Sequence, residues 1–73
     1  MANKLRHRKL LANAIREYRK KAGLTQEKMA ELAELNPKYI GEVERAEKNI
    51  SVDALIRIAN AVKAPIRDFF IEI

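Results

Sequence analysis

Eight side chains among the first 21 residues could neutralise a polyanion. Lys4, Arg6, Arg8, Lys9, Arg16, Arg19, Lys20 and Lys21 stand against one acid, Glu17, a local net charge of +7. The other 52 residues hold seven Lys/Arg and nine Asp/Glu, a net −2, within an overall +5. Such asymmetry points to a polyanionic partner met by the N-terminal part, with a solvated basic tail as the alternative. Side chains for covalent or metal chemistry are scarce: there is no cysteine and only one histidine, His7. A lone histidine without thiolates makes a poor metal site, and nothing in the sequence fixes a nucleophile beside it. No glycine-rich phosphate loop is present, and the carboxylates are spread out rather than paired. The expectation is no enzyme, no cofactor and no metal. What remains is recognition by charge and hydrogen bonding.

The elements that would position these groups are helical. At 73 residues the chain is expected to be one domain near the lower size limit of a self-sufficient core. With few aromatics that core should be Leu, Ile, Val and Ala. Leu11, Ala14, Ile15 and Tyr18 recur at three- and four-residue spacing, predicting helix one over about residues 8–21, with Gly23 as its stop. Thr25 caps helix two (26–33), which buries Met29, Ala30 and Ala33; Asn36 followed by Pro37 caps helix three (37–45), which buries Ile40 and Val43. Two helix starts eleven positions apart leave room for about two turns and a tight bend, the geometry of a helix-turn-helix whose second helix can enter the DNA major groove. Ser51 and Asp53 start helix four, with Val52, Leu55, Ile58, Ala59 and Val62 as its apolar stripe, and Pro65 opens a short fifth helix over 66–70. No run is apolar and long enough for a membrane span, no secretory signal is seen, and a reduced cytoplasm is the expected location. The expected organisation is a basic arm (1–9), an all-α five-helix domain (10–70) and an apolar tail (71–73).

Ala22-Gly-Leu-Thr-Gln26, Ala30, Tyr39-Ile40, Val43-Glu-Arg45, and Leu55-x-x-Ile58-Ala59-x-x-Val62 followed by Pro65-Ile66-x-x-Phe69-Phe70 are each weak signals. Their order and spacing together resemble the phage-repressor and Cro-type family of DNA-binding domains, often called XRE-like, over roughly residues 12–70. The resemblance implies a compact five-helix bundle of the lambda-repressor-like type, and a sequence-specific transcriptional regulator binding a two-fold symmetric operator in double-stranded DNA as a homodimer. Carried over by position, Pro37, Lys38, Gly41 and Glu42 would form the base-reading face. Lys38 can donate to guanine, and Glu42 either accepts from cytosine N4 or is a solvated charge. Gln26, Asn36, Tyr39, Arg45, Lys48 and Asn49 would contact phosphates, and Lys4, Arg6, Arg8 and Lys9 would form an arm along the duplex. Glu44 either meets solvent or braces the neighbouring arginine. In the C-terminal stretch Ile66, Phe69, Phe70, Ile71 and Ile73 are the expected dimer contacts, with one of the two phenylalanines closing the core.

Three positions depart from the family pattern. Glu34 stands where glycine usually makes the turn between helices two and three, so either the turn is strained or helix two runs longer. Ala46 replaces the glycine that commonly follows the Glu-Arg pair. Glu42, Glu44 and Glu47 make the DNA-facing half only weakly positive. These departures keep open an alternative: a protein-interaction module, such as an antitoxin or accessory regulator, with a protein partner and weak DNA binding.

Overall fold

The structure is a computed structural model that describes residues 4–70. Its elements are α1 (Lys4–Lys21), α2 (Gln26–Ala33), α3 (Pro37–Glu44), α4 (Val52–Val62) and a C-terminal 3-10 turn (Ile66–Phe69). No strand occurs among the described residues, and no helix is long and apolar enough to cross a membrane. The apolar tail 71–73, with the dimer contacts expected of Ile71 and Ile73, lies outside the described residues.

Each short helix is started by a side chain. Thr25 Oγ1 accepts from the Lys28 amide at 3.0 Å, Asn36 Oδ1 from Lys38 at 2.7 Å, and Ser51 Oγ from Ala54 at 3.0 Å. These contacts satisfy amides that an eight-residue helix would otherwise leave open, a large fraction of its backbone. Each helix also ends in a left-handed residue: Gly23 after α1, Glu34 after α2, Ala46 after α3 and Lys63 after α4, with φ between 58° and 73°. Helix two therefore stops at Ala33 and the turn is made by Glu34 itself. A non-glycine residue in this conformation costs about 1–2 kcal/mol. The closing bonds offset that cost: Leu35 N donates to Ala30 O at 2.8 Å and Glu47 N to Glu42 O at 2.9 Å.

The helices enclose one core around Ile15, Met29, Ala30, Ile40, Leu55, Ile58 and Phe69. Ala30 and Ala33 are buried on the small face that lets α2 pass close to its neighbours. Two residues correct the sequence reading. Val52, placed in the apolar stripe of α4, overhangs the first turn and is 68% exposed, while Ala54 takes a buried position. Phe69, expected as a dimer contact, is the phenylalanine that closes the core: it is 2% exposed, and its ring centroid lies 5.1 Å from that of Tyr18. Ile66 is half-buried against the same core, and Phe70 remains exposed.

Helix α1 begins at Lys4, so the backbone of the expected arm from residue 4 to residue 9 is helical and continuous with α1. The apolar spacing that marks α1 starts only at Leu11, and the basic residues before it carry no period. Arg8 is held from outside the helix: its Nε donates to Asn49 Oδ1 at 3.0 Å and its Nη1 reaches Ala46 O at 3.4 Å.

Candidate nucleic-acid interface

Helix α3 is amphipathic over only two turns. Ile40 and Val43 face the core, and Pro37 and Lys38 face solvent. Its orientation is fixed from beneath by Glu44, a carboxylate only 3% exposed. Arg19 of α1 donates to it twice, from Nε at 2.7 Å and Nη2 at 3.0 Å, and Gln26 Nε2 donates at 3.0 Å. Arg16 donates to the Glu44 carbonyl at 2.7 Å. Arg8, Arg16 and Arg19 thus clamp the end of α3 and the loop after it. These arginines are used inside the fold, in pairings 25 to 41 residues apart that no local spacing announces.

The bracing expected of Glu44 is real, but the arginine it holds is Arg19. Arg45 turns the other way, its Nε 2.9 Å and Nη2 3.2 Å from the Glu47 carboxylate. That contact raises the Arg45 guanidinium pKa and lowers that of Glu47. Arg45 also lies along the outer face of α3. A Cβ on Gly41 would come within 3.1 Å of Arg45 Nη1 and 3.7 Å of Gln26 Oε1. Gly41 is therefore a buried floor beneath the Arg45 side chain rather than an exposed contact, and its lack of a side chain lets guanidinium and amide converge at the start of α2.

The expected site residues separate into three groups. Gln26, Gly41 and Arg45 converge, with Gln26 half-buried and keeping its Oε1 and one amide hydrogen beyond the Glu44 contact. Pro37 and Lys38 are exposed at the first turn of α3, and Asn36 is its cap. Tyr39 is half-buried against the core, and its hydroxyl accepts from the Ser51 amide at 3.3 Å. The third group is the loop after α3: Lys48 Nζ lies 3.5 Å from Glu42 Oε1, and Asn49 accepts from Arg8. Beside this loop a cleft of about 260 Å³ runs between His7, Arg8, Leu11 and Ala12 on α1 and Lys48, Asn49 and Ile50. Arg6 and Lys9 are exposed on the first turns of α1. No cluster of metal-ligating side chains occurs among the described residues.

The comparisons agree with this architecture. The model of the Helix-turn-helix family matches residues 15–69. The control protein C.SmaI of Serratia marcescens is 39% identical over 59 residues, which is 81% of this chain and 70% of that protein. Among solved structures, the restriction-modification controller protein C.AhdI from Aeromonas hydrophila superposes with a TM-score of 0.83 at 33% identity, covering 86% of this chain and 96% of that one. The clp gene regulator ClgR from C. glutamicum does so with 0.83 at 33%, covering 90% and 86%. A match through α1–α4 and the C-terminal turn, with the tight turn and exposed second helix in place, makes this chain a member of the helix-turn-helix family, of the XRE-like type of DNA-binding transcription regulators.

Proposed function

We propose that the chain binds a two-fold symmetric operator in double-stranded DNA as a homodimer, with α3 entering the major groove. The observation that carries this reading is the exposed first turn of α3, Pro37 and Lys38, held beside Gln26 by the buried Glu44–Arg19 pair. A rigid support of this kind fixes the register of base-reading groups, which sequence discrimination requires. Lys38 makes no ion pair among the described residues, so its ammonium is available to guanine O6 and N7. Gln26 and Arg45 converge over Gly41 beside the amides that open α2, a pairing suited to a phosphate on that side of α3, while Asn36 and Tyr39 would serve one on the other side, next to the start of α4. The likeness to C.SmaI and C.AhdI supports control of restriction-modification genes as the biological setting.

For the dimer, Phe70 at 47% exposure is the large apolar side chain that the described C-terminal stretch leaves most open to a second copy. Half-sites should lie about one helical turn, roughly 34–36 Å, apart. One motive for the protein-interaction alternative is gone: Glu34 makes the tight turn that glycine usually makes, and α2 keeps its length. Binding of purified protein to random and enriched duplexes across a salt series tests the proposal. Lys38→Ala should relax preference at one base position by about 1–3 kcal/mol. Arg45→Gln should weaken binding to all sequences. A Lys38→Ala variant with unchanged affinity and unchanged preference overturns the assignment of this face.

A further inference from the structure

The surface from residue 37 to residue 49 holds three cations that could face DNA: Lys38, Arg45 and Lys48. Two of them are already occupied. Arg45 is bound in a two-point contact to Glu47, and Lys48 lies 3.5 Å from Glu42. Glu44 is excluded from this surface by its burial under Arg19. Within residues 37–49 the free chain therefore shows one cation outside an ion pair, Lys38.

Helix stability gives no reason for carboxylates here. Glu42 lies in the last turn of α3 and Glu47 in the turn just past its end, where the helix dipole disfavours negative charge. They are held next to each other by the bond from Glu47 N to Glu42 O at 2.9 Å, which closes the helix through the left-handed Ala46. The Arg45–Glu47 pair is solvent-exposed, with side-chain exposures of 58% and 55%, and the Lys48–Glu42 pair is open on the lysine side, at 53% and 22%. Exposed pairs are weak and exchange readily for a better partner. A closely docked phosphate offers that partner, whereas a loosely held duplex does not.

We propose that Glu42 and Glu47 are specificity-determining residues that hold Lys48 and Arg45 in intramolecular ion pairs, withholding both cations from random DNA and releasing them only where close docking on the correct site supplies phosphates. The inference rests on the regulator reading above. Specific and non-specific complexes then differ in the number of phosphates neutralised, not only in base contacts. Acids on the binding face lower the background affinity that competes with the operator.

The test compares the full chain with Glu47→Gln, Glu42→Gln and the double variant, each checked for helical content and thermal midpoint. Binding is measured to a random duplex and to a duplex enriched by the parent chain, from 50 mM to 300 mM salt. Freeing two cations should steepen the salt dependence for random duplex by about 1.8 and tighten it by roughly one to two orders of magnitude near 0.1 M salt. The enriched duplex should gain less than about threefold, so the specificity ratio falls. Glu17→Gln is the control, because it removes the same charge from α1 without freeing a described ion pair, and it should change random-duplex binding far less. Unchanged random-duplex affinity and slope in the double variant, an equal gain on both duplexes, or an equal gain from Glu17→Gln overturns the inference while leaving the regulator reading intact. Failure of the parent chain to bind either duplex overturns both.

Discussion

Replacing Glu44 by Ala should cost this domain a large part of its stability, and the structure gives the size. The carboxylate is 3% exposed and accepts three hydrogen bonds, two from Arg19 and one from Gln26. Truncation leaves the Arg19 guanidinium, whose side chain is 13% exposed, with the Leu24 carbonyl at 2.9 Å and no counter-charge. Removing one member of a buried pair costs about 3–5 kcal/mol. At roughly 0.05–0.15 kcal/mol per residue, a domain of this length has a total of about 4–11 kcal/mol to lose. With a urea slope near 1 kcal/mol/M for so small a chain, the unfolding midpoint should drop by about 3 M, or the variant should be unfolded without denaturant. The double variant Arg19→Met/Glu44→Leu removes both charges and keeps the volume apolar, so it should regain most of the loss, because desolvating the pair costs nearly what its attraction returns. Folded but unable to orient Gln26, it should still bind DNA more weakly. A Glu44→Ala midpoint shift equivalent to under about 1 kcal/mol, or a double variant as unstable as the sum of the two single changes, would refute the reasoning.

Other consequences follow from single residues. Glu34→Gly should raise stability by about 0.5–1 kcal/mol, since relief of left-handed strain exceeds the added freedom of the unfolded chain; chemical denaturation measures it. Gly41→Ala should stabilise α3 by about 0.5–1 kcal/mol through helix propensity, because the Arg45 tip it meets is exposed and can move, yet it should weaken DNA binding by displacing that tip. Tyr18 Oη donates to Asp68 Oδ2 at 2.9 Å, and this bond, with burial and the Asp68 charge, raises the phenol above its ordinary value. A raised folded-state value means the contribution is complete below the unfolded value of about 10 and is lost as pH rises through the folded one. The thermal midpoint should therefore fall on the alkaline side, less so in Tyr18→Phe, which keeps the ring against Phe69.

What the sequence made legible is what local chemistry decides. Thr25, Asn36 and Ser51 announce helix starts because a cap acts within three residues, and each caps as expected. The bounds of α2 were legible from its cap and spacing, whereas the sequence leaves open the choice between a strained turn at Glu34 and a longer helix, which the left-handed φ of 58° there decides. Long-range pairing was not legible. That Glu44 belongs to Arg19 rather than Arg45, and that Arg8 grips Asn49, depends on how α1 crosses the end of α3. The start of α1 was missed because its first basic residues show no apolar period and no cap. Of two adjacent phenylalanines, only the tertiary position of Tyr18 selects Phe69 for the core. Gly41 read as a contact because position alone cannot show the Arg45 side chain lying over it.

The central claim is that the outward face of α3 reads DNA sequence, and selection from a random duplex pool by the purified chain tests it most directly. The expected result is one enriched motif made of two inverted half-sites centred about one helical turn apart, lost when Lys38 is replaced by Ala. A pool that stays random through successive rounds, or a motif that Lys38→Ala enriches equally well, would contradict the account.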